Sequence, residues 1–126
     1  MDVEDAKCCF FRYATSKLNK IEDLRSISTF GFRGEALASI ASVSKVRLTT
    51  RQNSQECATQ VDVEGGQIIK TTEAGAPFGT RIDVSDLFYN VPARRKFLKT
   101  PRSEAALIER VIKNAVLLNP SVGFSL

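Results

Sequence analysis

The sequence predicts a mixed α/β fold built on a mostly antiparallel sheet. Three stretches alternate apolar and polar residues with a period of two, which is typical of half-buried strands. Their apolar members are Val46 and Leu48, Val61 and Val63, and Ile82 and Val84. Gly65-Gly66 separates the second stretch from a further strand-like run at residues 67–70 and predicts a two-residue hairpin turn. Because such turns join antiparallel neighbours and the links are short, we expect an antiparallel sheet.

Apolar residues at helical spacing predict helices before and after these strands. Amphipathic patterns predict one helix over residues 3–14, a short one over residues 21–27, and another that follows Gly34. Near the C-terminus, Thr100-Pro101 is a typical helix start and Asn119-Pro120 a typical stop. We expect the last residues, 122–126, to begin a strand, and no internal domain boundary is predicted.

Composition narrows the possible functions. The chain has 126 residues, a formal net charge of +4 and no histidine, which excludes a histidine base and zinc held by imidazole. No apolar run has the length of a membrane span, and the acidic N-terminus is unlike a signal peptide. We therefore expect no membrane partner, and a location that is cytoplasmic in a bacterium or nuclear in a eukaryote.

The cysteines predict neither a disulfide framework nor a metal site. Cys8, Cys9 and Cys57 are odd in number, and adjacent cysteines do not readily bridge one another. We expect reduced thiols.

A glycine-rich stretch leading into a helix is the strongest local candidate for a binding site. Gly31 and Gly34 permit positive φ, and the residues from Glu35 onward favour a helix. The exposed N–H groups and the dipole at a helix N-terminus attract anions such as phosphate. A tight turn without a ligand is the alternative, and it is the commoner one for such a glycine pair.

Four motifs in this order resemble one known family. They are ATSK at residues 14–17, GFRGEALASI at 31–40, Gly79-Thr80, and DLFYNVPARRKFL at 86–98. From about residue 5 to its end, the chain resembles the N-terminal ATPase region of the MutL family of DNA mismatch-repair proteins. These belong to the GHKL ATPases, together with type II topoisomerase subunits, heat-shock chaperones and histidine kinases. The fourth motif favours the mismatch-repair branch over a topoisomerase subunit. The resemblance implies a sandwich of a mostly antiparallel sheet with helices on one face.

The resemblance also implies an ATP site. Residues 15–37 would form a lid over the nucleotide, with hydroxyls from Thr15 and Ser16 and a positive charge from Lys17. Backbone amides of the glycine loop would contact the triphosphate, and Thr80 would lie near the adenine pocket. The implied nucleotide-binding residues are Thr15, Ser16, Lys17, Gly31, Arg33, Gly34, Glu35, Ala36, Leu37 and Thr80. From the residues alone, a polar loop at 15–17 and a turn entering a strand at Gly79-Thr80 remain alternatives.

A basic segment after the fourth motif is a candidate contact for DNA phosphates. Its members are Arg94, Arg95 and Lys96, followed by Lys99 and Arg102. A solvated surface run is the alternative explanation. We expect Phe88, Tyr89 and Phe97 to lie in the core rather than to stack on bases.

Three features of a complete GHKL ATPase are missing from the sequence. It has no helix with a general-base glutamate and a magnesium-binding asparagine four residues later, and no D-x-G-x-G turn. Glu109 and Asn114 are five residues apart and so lie on different helix faces. We therefore expect residues 1–126 to be a partial domain, inactive alone, without catalytic or metal-binding residues. Its predicted parts are a lid at 15–37, a sheet at 45–86, and a basic loop with a C-terminal helix at 88–118.

For the parent protein, the resemblance implies a Mg²⁺-dependent ATPase of DNA mismatch repair. ATP would close the lid and promote a homodimer or heterodimer, coupling mismatch recognition by a protein of the MutS type to downstream repair on duplex DNA. The alternative is a non-enzymatic DNA-binding module that uses the basic segment at 94–102.

Overall fold

The structure is a computed structural model that describes residues 1–14 and 34–125. Its contacts divide the chain into two compact units, which we call the sheet unit, Met1–Pro92, and the C-terminal unit, Ala93–Leu126. In chain order, the elements among the described residues are α1 (Val3–Cys8), α2 (Ala36–Ala41), β1 (Lys45–Arg51), β2 (Ala58–Glu64), β3 (Gln67–Ala74), β4 (Gly79–Ser85), α3 (Pro92–Arg95) and α4 (Pro101–Leu118). None of the helices in these described ranges is long and apolar enough to cross a membrane.

The sheet has four strands in the order β3-β2-β1-β4, and each neighbouring pair is antiparallel. The tight turn between β2 and β3 consists of Gly65 and Gly66, with φ values of 58° and 84°. Both angles lie in the left-handed region that a two-residue hairpin turn of this kind requires. The predicted hairpin and antiparallel sheet are therefore confirmed.

One face of the sheet carries the core. Val46 and Leu48 on β1 pair in register with Val63 and Val61 on β2, and all four side chains are buried. The other buried members of this cluster are Ala6 on α1, Phe10 in the turn that follows α1, and Ala41 on α2. The predicted mixed α/β class, with helices against a mostly antiparallel sheet, is therefore confirmed.

The first helix is shorter than predicted. It ends at Cys8, whereas the apolar spacing predicts a helix through residue 14. Tyr13 has a φ of 66°, and an α-helix cannot continue through a residue in this left-handed conformation. Phe10 still reaches the core, so the apolar pattern marks burial correctly but not the helix end. The helix predicted at residues 21–27 lies outside the described residues.

The C-terminal unit contains the predicted helix α4. Thr100 precedes it as N-cap, its side-chain oxygen accepts a hydrogen bond from the Ser103 amide at 3.4 Å, and Pro101 opens the helix. The helix ends at Leu118, as Asn119-Pro120 predicts.

Residues 122–125 form a bend and irregular chain instead of the expected strand. A strand needs a hydrogen-bonded neighbour, and within the described part of this unit there is no other strand to supply one.

The expected burial of the aromatic residues around the basic segment is wrong in two of three cases. Phe97 is 86% exposed and Tyr89 is also exposed, while Phe88 is half-buried. Pro92 opens the short helix α3.

Candidate functional site

The glycine loop is described from Gly34 onward. Gly34 has a φ of 62°, and its carbonyl oxygen accepts a hydrogen bond from the Tyr13 amide at 3.1 Å. A Cβ atom at this position would lie 2.4 Å from the Ala14 carbonyl oxygen, closer than any contact a side chain tolerates. Only glycine fits both the positive φ and this close backbone approach. The predicted positive φ at Gly34 is confirmed, and the structure adds the reason for it.

Helix α2 begins directly after this point. Glu35 is its N-cap and makes no side-chain capping bond. Further along the helix, Ala38 and Ala41 are buried. Leu37 packs against the core, and Ala36 remains exposed at the first turn. Four of the candidate nucleotide contacts thus form one continuous segment within the sheet unit, namely Gly34, Glu35, Ala36 and Leu37. Thr15, Ser16, Lys17, Gly31 and Arg33 lie outside the described residues.

Thr80 lies at the start of β4 and is hydrogen-bonded within the sheet. Its side-chain oxygen is 2.8 Å from that of Thr50, a buried residue that pairs with it in register. The N-terminal amine of Met1 also donates to the Thr50 hydroxyl at 3.4 Å. Gly79-Thr80 therefore forms the strand entry that the sequence offered as an alternative. None of the hydrogen bonds found among residues 1–14 and 34–125 joins Thr80 to Gly34.

A third part of this region is the loop of residues 86–90, which belongs to the fourth motif but whose contacts with the end of α2 were not predicted. The Phe88 amide donates to the Val43 carbonyl at 2.7 Å, and Asn90 Nδ2 donates to the Ser42 carbonyl at 2.9 Å. Both acceptors follow the C-terminal end of α2. The sequence signal was present in Asp86 and Asn90, because Asp and Asn are enriched in loops with left-handed geometry. We refer to residues 86–90 as the anchor loop.

Charge fixes the anchor loop to β1. Lys45 Nζ lies 3.1 Å from the Asp86 carboxylate and 5.5 Å from the centre of the Tyr89 ring. The hydrogen bond that Lys45 donates to the Asp86 carboxylate raises the pKa of Lys45 above its usual value. The lysine therefore stays charged throughout the physiological pH range.

The basic segment lies beyond the anchor loop. Arg94 and Arg95 end the short helix α3, and Lys96 follows; all three side chains are exposed. Exposure of this kind is compatible with phosphate contacts and equally with a solvated surface.

The described residues hold no cluster of typical metal-ligating side chains. They contain no group of three histidine, cysteine, aspartate or glutamate side chains placed to hold a metal ion. Cys8, Cys9 and Cys57 are free thiols. Burial raises the pKa of Cys9 to about 11, so this thiol is a poor nucleophile and a poor metal ligand at neutral pH.

Comparison with known proteins gives close relatives over nearly the whole chain. The DNA mismatch repair protein MutL of Clostridium botulinum is 50% identical over 123 residues, which is 98% of this chain and 18% of that protein. MutL of Desulforamulus reducens is 49% identical over 126 residues, which is 100% of this chain and 20% of the relative. The chain thus spans about a fifth of the length of these relatives. No protein-family profile matches it.

Solved structures agree with these relatives. The ATPase domain of Aquifex aeolicus MutL, complexed with ADP, is 40% identical with a TM-score of 0.67, and the match covers 82% of this chain and 40% of that domain. The N-terminal domain of a DNA repair protein is 28% identical with a TM-score of 0.70, over 94% of this chain and 33% of that one. The fold is therefore that of part of a mismatch-repair ATPase domain of the GHKL class.

The sequence identity identifies the family within that class. The chain belongs to the MutL family of DNA mismatch-repair proteins.

Proposed function

We propose that this chain is the lid and sheet part of an ATPase that acts in DNA mismatch repair. The observation that carries the proposal is the 40% identity to a MutL ATPase domain that binds ADP, over 82% of this chain. The described end of the glycine loop supports it, because Gly34 has a positive φ directly before α2 and Ala36 in the first turn of this helix is exposed. In this proposal residues 15–37 form the lid, residues 45–86 the sheet, and residues 88–118 the basic loop and final helix.

The proposed chemistry of these residues is binding and orientation of the triphosphate. Lys17 supplies a positive charge, Thr15 and Ser16 supply hydroxyls, and backbone amides from Gly34 to Leu37 donate to phosphate oxygens. We assign Glu35, the N-cap residue of α2, no role as a catalytic base, because a carboxylate at a helix N-terminus is stabilised by the helix dipole. Mg²⁺ would neutralise phosphate charge during hydrolysis, and the asparagine that the resemblance implies as its ligand belongs to a motif missing from this sequence. Because the sequence lacks the general-base motif, we expect the chain alone not to hydrolyse ATP.

The proposal extends to the partners of the complete protein. ATP binding would close the lid, promote homodimers or heterodimers and couple recognition by a MutS-type protein to repair of duplex DNA. The bacterial relatives support a cytoplasmic location in preference to a nuclear one.

Nucleotide affinity tests this function. In the complete protein that carries this chain, we expect Lys17→Ala to weaken ADP binding at least tenfold, because a charge-assisted phosphate contact contributes about 1.5–3 kcal/mol. Isothermal titration with ADP gives the dissociation constant. Lys70→Ala, an exposed lysine on β3, is the matched control. Equal affinity for wild type and Lys17→Ala contradicts the lid assignment.

DNA contact by the basic segment is a second proposed function, supported by the exposure of Arg94, Arg95 and Lys96. Such contacts are electrostatic and independent of base sequence. We expect the double change Arg94→Gln and Arg95→Gln to lower affinity equally for matched and mismatched duplexes. The slope of log affinity against log salt should become shallower by about one unit per lost phosphate contact. Arg110→Gln on α4 is the control; an unchanged slope in the double variant places the DNA surface elsewhere.

A further inference from the structure

The C-terminal end of α2 is held by side-chain and backbone donors from a distant part of the chain. The last carbonyls of a helix have no partner within the helix. Asn90 Nδ2 donates to the Ser42 carbonyl at 2.9 Å, and the Phe88 amide donates to the Val43 carbonyl at 2.7 Å. Two successive carbonyls after α2 therefore depend on the anchor loop for hydrogen bonds.

The anchor loop keeps an unfavourable backbone to make these contacts. Asp86 and Phe88 have φ values of 51° and 62°, which residues other than glycine rarely adopt. Such conformations persist only where the surrounding contacts hold them in place. One contact that holds this loop is the ion pair of Lys45 and Asp86 at 3.1 Å, which ties the loop to the start of β1.

A third segment closes the same region. The Gly65 amide, in the turn between β2 and β3, donates to the Ser44 carbonyl at 3.2 Å. The hydroxyl of Tyr89 lies so close to this turn that a Cβ at Gly65 would be 3.1 Å from it. The link after α2, the hairpin turn and the anchor loop thus meet at one end of the sheet.

We propose that Asn90 is a positioning residue for Gly34 and for the start of α2, acting through this helix. The helix has six residues and is therefore only about 9 Å long, so the position of its last carbonyls also sets the position of Glu35 and Ala36 at its start. Asn90 directly holds the Ser42 carbonyl, at the C-cap of this helix. The inference rests on the nucleotide-binding function proposed above, and it adds a residue outside the binding segment on which nucleotide affinity depends.

The test compares two asparagines that have the same chemistry. Asn119 Nδ2 donates to the Ala115 carbonyl at 3.0 Å near the end of α4, in the C-terminal unit. In the complete protein we expect Asn90→Asp, which keeps the shape and removes the N–H donor, to weaken ADP binding about fivefold, as expected for one lost hydrogen bond. Asn119→Asp should leave ADP affinity unchanged. Amide hydrogen exchange within α2 should become faster in Asn90→Asp only.

Each outcome bears on a different claim. Unchanged ADP affinity in Asn90→Asp, or equal losses in both variants, overturns the positioning role. If the wild-type protein does not bind ADP, the proposed function fails, and α2 exchange alone then decides whether Asn90 holds the helix. If Asn90→Asp does not fold, Asn90→Ala removes the donor without adding a charge and is compared in the same way.

Discussion

The two units of the chain use similar apolar patterns with different results. In the sheet unit, Leu48 is 0% exposed and belongs to a cluster that joins α1, α2 and the sheet. In the C-terminal unit, α4 has eighteen residues and none of them is buried; Leu117 is 80% exposed. The apolar side chains of a predicted helix are therefore buried only in the sheet unit.

The difference separates what local interactions determine from what packing determines. The start and end of α4 are set by Thr100, Pro101 and Asn119, all next to the helix in sequence. Burial requires a second apolar layer, which the sheet provides for α1 and α2. We therefore expect most of the stability of the described residues to come from the sheet unit.

Truncation of a core leucine should give the largest effect. Leu48→Ala removes a fully buried side chain, and we expect the free energy of unfolding to fall by about 2–5 kcal/mol. Leu117→Ala should change it by less than about 0.5 kcal/mol, because its side chain is already in solvent. Urea unfolding of both variants, followed by circular dichroism, measures the difference. Similar losses in the two would mean that α4 is buried in solution.

The next largest effect is expected at Gly34. In Gly34→Ala the new Cβ would meet the Ala14 carbonyl in a backbone with positive φ, which should cost about 1–3 kcal/mol. Gly123→Ala in the C-terminal unit introduces a methyl group with no atom within 4 Å and without positive φ, so we expect little change. Thermal unfolding of the two variants compares them; equal midpoints would show that Tyr13, Ala14 and Gly34 are not in close contact.

Removal of a helix N-cap should give an effect on stability of intermediate size. Thr100→Ala should destabilise α4 by about 1 kcal/mol and leave the unfolding midpoint of the sheet unit unchanged. Asp2→Ala removes the cap of α1, whose carboxylate accepts from the Asp5 amide at 2.8 Å, and should lower that midpoint. Hydrogen exchange resolved by residue distinguishes the two effects. A loss of protection in β1 after Thr100→Ala would contradict this expectation.

These predictions also show which features the sequence determines by itself. The hairpin at Gly65-Gly66, the strand pattern and both ends of α4 were predicted correctly, because each depends on neighbouring residues. The end of α1 was not predicted correctly. The amide of Tyr13 donates to the carbonyl of Gly34, which is distant in sequence, so neighbouring residues alone do not determine where this helix ends. The exposure of Phe97 was missed because apolar character alone does not show whether a second layer is present.

The candidate site shows the same limit. Motif resemblance selected Gly34 and Thr80, but only the structure shows the backbone approach at Ala14 and the hydroxyl pair with Thr50. The role of Asn90 depends on a bond to Ser42, 48 residues earlier in the chain. No periodic pattern encodes such a contact.

The smallest predicted effect is a dependence of stability on pH. Arg47 Nε donates to the Asp62 carboxylate at 2.7 Å, and this bond lowers the pKa of Asp62 below its usual value. A lowered folded pKa contributes stability above the unfolded value of about 3.9, and this stability is lost as pH falls through the folded pKa. The pair is partly exposed, so we expect a loss of under about 1 kcal/mol. Asp62→Asn should abolish this part of the acid sensitivity in urea unfolding between pH 5 and pH 2; an unchanged pH profile would contradict the pair.

Amide hydrogen exchange of the complete protein, with and without ADP, tests most directly whether the glycine loop belongs to a nucleotide site. We predict that saturating ADP slows exchange at the amides of residues 34–37 by at least tenfold, because these N–H groups donate to phosphate oxygens. Exchange in α4 should stay the same. Unchanged exchange at residues 34–37 in an ADP-bound protein would contradict the proposed site and leave the glycine loop as a structural turn.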